Sequence, residues 1–266
     1  MSERLAHAKI NLALVVGPVL PNGKHEVTTV LQRVELADRI VLEPASETSV
    51  EGFAGDTIVR RALDLVSTEA GGGRAWRATI DKRIPVAAGL GGGSSDAAAA
   101  LALANATLDR PLSGERLHEL GARLGADVPF FLADGPCLGE GDGSALTALD
   151  LPRGYVVVLV LPDGVSKPST ASVYARFDAR GGAVGYEGRR ARLLDALAAG
   201  DLAALPANDL ASSPLADELR RLGAFRADVS GAGPAVYGLF PDRASAAAAG
   251  AALKPRGRVW VVTPAW

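Results

Sequence analysis

The stretch PVAAGLGGGSSDAAAA, Pro85 to Ala100, constrains this chain more than any other segment. It separates the run AWRATIDKRI, which reads as a strand, from the alanine-rich DAAAALALANATL, which reads as a helix. A strand, a glycine-rich turn and a helix start leave backbone N–H groups unpaired beside the positive end of a helix dipole. Gly89, Gly91, Gly92 and Gly93 carry no Cβ, so phosphate oxygens can approach the main chain there. Ser94 and Ser95 can cap the helix or turn their hydroxyls to phosphate, and Asp96 is expected in the first helical turn. The expectation is an anion site; the plainer alternative is a flexible turn before a helix. Neither familiar phosphate loop fits, because Ser94 stands where a P-loop has lysine, and Ser94 or Asp96 stands where the dinucleotide fingerprint has its last glycine.

The rest of the composition narrows the ligand class. A net charge of −2 supplies no general field for nucleic acid or an anionic membrane, so neither is expected as a partner. Cys137 is the only cysteine, which excludes an internal disulfide and a cysteine metal cluster; a cytoplasmic location is the expectation. Lys9 and Asn11 interrupt the apolar run near the start, and no apolar run approaches the ~20 residues of a membrane span. His7 and His118 read as polar surface, and the three histidines have no metal-ligand spacing. Only five of the 28 basic residues are lysines, among them Lys9, Lys24 and Lys82, so each lysine stands out against an arginine background.

Alternation in HAKINLALVV and VELADRIVLEP reads as two strands joined through the turn PNGKH. In such a strand Lys9 and Asn11 share one face and Ile10 and Leu12 the other. Helices are expected over DTIVRRALDLVSTE and over SGERLHELGARLG, the latter capped by Ser113. The run YVVVLVLP reads as a buried strand, with a domain boundary just before it: 1–152 and 153–266. After the helix TASVYARFD and further helices through Leu222, RADVS, AVYGLF, RASAAAAGAAL and VWVVTP form a β-β-α-β tail. That order suits an antiparallel sheet covered by helices.

Three pieces together resemble the signatures of the GHMP kinases, the superfamily of galactokinase and of homoserine, mevalonate and phosphomevalonate kinases. These are HAKINLAL near the start, PVAAGLGGGSSDAAAAL, and VSGAGPAVYGLF near the end. AKINL, the PNGKHE turn, the triple glycine, GADVPFFL, GEGDG and NDL at Asn208 to Leu210 are similar to the branch whose acceptor alcohol carries a cytidine diphosphate. The resemblance implies an α+β chain with an N-terminal ribosomal-S5-like domain and a C-terminal ferredoxin-like domain. It implies ATP with Mg²⁺ as cofactors, and phosphorylation of the 2-hydroxyl of a cytidine-diphosphate-linked tetritol in non-mevalonate isoprenoid synthesis. Catalysis is carried over to Lys9 and Asp127, and the phosphates to Pro85, Gly89, Leu90, Gly91, Gly92, Gly93, Ser94, Ser95 and Asp96, with Ser94 or Ser95 near the metal. Substrate binding is carried over to Asn11, Lys24, His25, Tyr174, Ser230, Gly231 and Gly233.

Each of these residues also has a plainer reading: a helix cap for Asp127, a solvated edge-strand lysine for Lys9, sheet packing for Tyr174, and a strand-to-strand turn for the Ser230 segment. Two positions depart from the family pattern. Lys24 stands where an aromatic usually precedes the histidine, and Asp56 where asparagine usually opens the following helix. Two other functions stay open at this point: a GHMP kinase for another small alcohol of the homoserine or mevalonate type, and a non-catalytic nucleotide-binding regulator. The expected partner is a small-molecule substrate, and the expected assembly a monomer or homodimer.

Overall fold

The computed structural model describes residues 1–55, 58–165 and 169–266. Its residues group into two compact units that interleave along the chain. The first holds Met1–Ala8, Leu36–Val86 and Gly91–Asp134, and the second Lys9–Glu35, Ala87–Leu90 and Gly135–Trp266. The interleaving comes from two strands longer than sequence alternation suggests: β1 (Ser2–Val19) and β2 (His25–Pro44) each contribute residues to both units.

In the first unit, β3 (Ser49–Glu51) runs parallel to β4 (Trp76–Asp81), which pairs antiparallel with Arg39–Pro44 of β2. In β4, Trp76, Ala78 and Ile80 are buried while Arg77, Thr79 and Asp81 are exposed, as a half-covered strand requires. The helix α1 (Ile58–Glu69) turns Val59, Ala62, Leu63 and Val66 inward, and α2 (Gly92–Ala106) is buried along most of its length. Alanine suits α2 on both counts, having the highest helix propensity and little bulk between neighbouring elements. The helix α3 (Gly114–Leu124) starts as expected, with the Ser113 hydroxyl accepting from the Arg116 N–H, and the short α4 (Val128–Leu132) follows it.

In the second unit, β5 (Cys137–Glu140) pairs with Thr29–Leu31 of β2 and with β6 (Ala145–Ala148). The tail has the expected order. β7 (Val156–Pro162) is followed by helices α5 (Thr170–Ala179), α6 (Tyr186–Ala198) and α7 (Pro214–Arg221), then β8 (Arg226–Val229), β9 (Val236–Phe240), α8 (Arg243–Leu253) and β10 (Gly257–Val262). The antiparallel sheet runs β10-β7-β9-β8. Val156, Val158 and Val160 on one face pack with Ala216 and Leu219 of α7 and Ala246, Ala249 and Leu253 of α8. A last strand, β11 (Pro264–Ala265), pairs with Arg33 and Val34. Among the described residues no helix is long and apolar enough to cross a membrane.

Candidate functional site

The candidate residues fall into a set in each unit. In the second unit, β1 carries Lys9 and Asn11, which are 4% and 5% exposed. The reading of Lys9 as a solvated edge lysine therefore fails. Both faces of the strand are buried here, since Ile10 and Leu12 are fully covered too. Lys9 Nζ donates to Asn11 Oδ1 at 2.6 Å, Asn11 Nδ2 donates to Thr29 Oγ1 at 2.9 Å, and the Thr29 hydroxyl donates to the Ala13 carbonyl at 2.8 Å. This relay fixes the asparagine amide with its oxygen toward the ammonium.

Against these two residues lies the turn between β8 and β9. Ser230 is fully buried, and its hydroxyl donates to the Gly89 carbonyl at 3.0 Å. A Cβ on Gly231 would stand 3.3 Å from Asn11 Oδ1 and 3.6 Å from Lys9 Nζ. The glycine loop is stitched to the same place: the Lys9 N–H donates to the Leu90 carbonyl and the Ala235 N–H to the Ala88 carbonyl, both at 2.9 Å. Gly89 adopts φ +85°, and a Cβ there would lie 2.4 Å from the Ser230 carbonyl oxygen, so no side chain fits. Lys9, Asn11, Gly89, Leu90, Ser230 and Gly231 are thus brought together, with Gly233 closing the turn through its N–H to the Ser230 carbonyl.

Asn208 is a supporting residue that residue-level reading passed over as part of NDL. Its amide donates to the Val229 carbonyl at 2.9 Å and the Gly231 carbonyl at 2.7 Å, holding the turn from behind. Buried Arg226 does the same for β1, donating to the Leu12 carbonyl at 2.8 Å beside the Tyr237 hydroxyl, which donates to that carbonyl at 3.0 Å. Burial pushes the Tyr237 phenol up to about 12, so it stays a donor at any working pH. The Leu12 carbonyl is thus satisfied by side chains 214 and 225 residues away, and the Val229 and Gly231 carbonyls by one 21 and 23 residues away, which local pattern cannot reveal.

At the start of β2, His25 stacks on Tyr174 with ring centroids 4.7 Å apart and planes inclined by 29°, and its Nε2 is hydrogen-bonded to Asp178 Oδ1 at 2.7 Å. Phe177 meets the His25 ring edge-on at 5.9 Å. Lys24 is exposed and pairs with Asp142 at 2.7 Å, and this contact holds the Asp142 carboxyl below its ordinary range. The pairing joins the PNGKHE turn to the GEGDG segment.

In the first unit, the N-cap of α2 is Gly91, at φ +70°, and it provides no side-chain cap. This corrects the expectation for Ser94 and Ser95: they are the third and fourth helical residues, and Asp96 is the fifth, past the first turn. The first hydrogen bond inside the helix runs from the Ser95 N–H to the Gly91 carbonyl at 2.9 Å, which leaves the amides of Gly92, Gly93 and Ser94 for a ligand. A Cβ on Gly93 would meet only Ile58 Cγ2, at 3.8 Å, so an anion has room to reach that amide. The residues present fit a phosphate group. Ser94 is half-buried and Ser95 is 2% exposed. Pro85 is half-buried ahead of the loop.

Asp127 is half-buried at the N-cap position of α4, and its side chain makes no capping hydrogen bond, which removes the helix-cap reading. Pro129, the second residue of that short helix, lacks an N–H that would need a cap. Asp96 accepts from Lys82 and is described further below. Asp56 lies outside the described residues.

Two family models match the chain: GHMP kinases N terminal domain over residues 57–135, and GHMP kinases C terminal over residues 191–258. A 4-diphosphocytidyl-2-C-methyl-D-erythritol kinase of Symbiobacterium thermophilum is 38% identical across 96% of this chain and 97% of its own. One from Gloeobacter violaceus is 38% identical across 93% of this chain and 88% of its own. A crystal structure of 4-(cytidine 5'-diphospho)-2C-methyl-D-erythritol kinase superposes over the whole of both chains, with a TM-score of 0.82 and 33% identity. With full-length matches in sequence and in fold, the chain belongs to the 4-diphosphocytidyl-2-C-methyl-D-erythritol kinase family of the GHMP kinases.

Proposed function

We propose that this protein transfers the γ-phosphoryl group of ATP to the 2-hydroxyl of 4-diphosphocytidyl-2-C-methyl-D-erythritol. The observation that carries the reading is the near-complete, 38%-identical match to kinases of that name. Residues 1–152 then correspond to the family's N-terminal domain and 153–266 to its C-terminal one.

ATP supplies the phosphoryl group and ADP as leaving group, and Mg²⁺ neutralises phosphate charge. The free amides of Gly92, Gly93 and Ser94 at the start of α2 suit the phosphates, and the Ser94 or Ser95 hydroxyl is the side chain assigned to the metal. In the transfer, the acceptor oxygen forms the new P–O bond while the bond to the β-phosphate oxygen breaks, and the hydroxyl proton goes to Asp127. Lys9 is assigned to stabilising negative charge on the transferring group. Its relay through Asn11 and Thr29 supports that role by fixing the ammonium against one acceptor, so little reorganisation accompanies reaction. His25 and Tyr174 are assigned to the cytosine, and Asn11, Gly231 and Gly233 to the rest of the acceptor.

A second reading, a related kinase for another small alcohol, draws on Lys24, which is engaged with Asp142 where the family usually presents an aromatic. Release of ADP with a panel of acceptors separates the two. Turnover of the cytidine-bearing alcohol, with competition by CMP, supports the first reading. Turnover of homoserine, mevalonate or phosphomevalonate alone, indifferent to CMP, supports the second.

A further inference from the structure

The first unit contains a buried charged group to which the reaction above gives no part. Asp38 on β2 is fully buried, the Lys82 side chain just after β4 is 14% exposed, and Asp96 of α2 is 1% exposed. Lys82 Nζ donates to Asp38 Oδ2 at 2.5 Å and to Asp96 Oδ2 at 2.7 Å. Asp38 Oδ1 accepts two further bonds, from the N–H of Arg83 at 2.5 Å and of Ile84 at 2.7 Å. Asp96 Oδ1 is buried with no hydrogen-bond partner. Three charges taken out of water give little or no net stability compared with apolar side chains of the same volume, so the group calls for a geometric explanation.

Its place in the chain supplies one. Between Lys82 and Asp96 lies the glycine loop, whose middle, Ala87–Leu90, belongs to the second unit, while its two feet, through Val86 and from Gly91, belong to the first. Asp38 grips the foot on the strand side through two consecutive backbone amides. Lys82 links that grip to the second turn of α2. The ammonium also lies against the helix start, since a Cβ on Gly92 would stand 3.1 Å from Lys82 Nζ and 3.0 Å from Ile84 Cγ2.

We propose that Lys82 is a positioning residue for the nucleotide: by bridging Asp38 and Asp96 it ties the two feet of the loop together and fixes the aim of the α2 N-terminus. The proposal rests on the reading of that N-terminus as the phosphate site. Asp96 then serves the ligand through Lys82, and the amides of Gly92, Gly93 and Ser94 touch it. Because the device sets amide geometry, its loss acts on the nucleotide and spares the acceptor.

The experiment compares Lys82→Met, Asp96→Asn and the double variant Lys82→Met/Asp96→Leu with the parent, by steady-state kinetics and by calorimetric titration with ADP. Lys82→Met is expected to raise KM for Mg-ATP and weaken ADP at least ~10-fold, with KM for the alcohol within about twofold. Asp96→Asn, which keeps an oxygen for Nζ but not the charge, is expected to show the same split in smaller degree, a raised KM for Mg-ATP with KM for the alcohol within about twofold. The double variant removes one of the two carboxylates that Lys82→Met strands, while Asp38 keeps its two backbone donors, so it is expected to fold where Lys82→Met does not and to keep the raised KM. Parental KM and ADP affinity in the folded double variant overturn the proposal, as does an equal loss for alcohol and nucleotide. Absence of ADP binding in the parent overturns the phosphate-site reading and the proposal with it. Parental ADP binding that the variants share overturns the proposal alone.

Discussion

The His25 and Tyr174 rings lie 4.7 Å apart and close to parallel, with His25 tied at its other side to Asp178. Holding a third ring between two aromatic planes needs roughly 7 Å, twice a van der Waals contact. On the proposed reading, a cytosine would meet this pair on an outer face or by displacing Tyr174. Stacking on a base contributes about 1–3 kcal/mol. Tyr174→Ala is expected to raise KM for the cytidine-bearing acceptor by about fivefold or more, with KM for Mg-ATP unchanged; an unchanged acceptor KM removes Tyr174 from the base site.

Two glycines of one loop are predicted to respond in opposite ways. Gly89→Ala forces a Cβ to 2.4 Å from a backbone oxygen at a positive φ, so it is expected to lower the melting temperature and abolish turnover. Gly93→Ala makes only an ordinary contact, 3.8 Å from Ile58 Cγ2, inside a helix, where alanine is favoured by about 0.5–1 kcal/mol. It is expected to melt no lower than the parent while KM for Mg-ATP rises, because the added methyl occupies the approach to the amides. Thermal melts and kinetics on the two proteins check both statements.

Lys9→Met is expected to lower kcat by about 10²–10³, the usual loss when one preorganised stabilising group is removed. Far-ultraviolet circular dichroism and the melting temperature decide whether the fold survives the change. Asn11→Ala, which leaves the ammonium without its 2.6 Å acceptor, is expected to lower kcat by a smaller factor.

Burial, together with the neighbouring Asp38 charge and against the attraction of Lys82, pushes the Asp96 carboxyl up to about 7 from an ordinary 3.8. Between those values the folded chain binds more protons than the unfolded one, so Asp96 contributes stability at acid pH that is lost as pH rises through about 7. Burial acts to depress the Lys82 ammonium, but Asp96 and Asp38 together hold it above its ordinary value, so it stays charged across this window. The predicted observation is a melting temperature that, relative to Asp96→Asn, falls from pH 5 to pH 8 in the nucleotide-free protein. A difference that stays flat or rises contradicts it.

Local pattern made much of this molecule legible. The β-branched run of β7, the β-β-α-β tail and the strand-loop-helix around Gly89–Gly93 follow from periodicity and glycine placement, and they stand where expected. The length of β2 was hidden because Val27–Gln32 is covered on both faces and so loses the alternation that marks a half-exposed strand, while the extra residues of β1, such as Glu3–Leu5 and Pro18–Val19, are exposed and carry no alternation either. Lys9 and Asn11 could be put on one face, yet their burial depends on Thr29, Gly89 and Gly231, which only the tertiary fold supplies. Asp38 carried no signal at all: its partners are 44 or more residues away and two of them are backbone amides. Asn208 was visible within a motif, but its job of holding two carbonyls of a distant turn was not.

The most direct test of the proposed reaction is to incubate the purified protein with Mg-ATP and 4-diphosphocytidyl-2-C-methyl-D-erythritol, follow ADP release, and identify the product by phosphorus NMR, with Asp127→Asn alongside. The account predicts one ADP per new phosphate monoester at the 2-hydroxyl, and turnover at least ~10²-fold slower in the variant. No monoester with this acceptor from folded, ADP-binding protein would contradict the substrate assignment, and an Asp127→Asn variant as fast as the parent would contradict the mechanism.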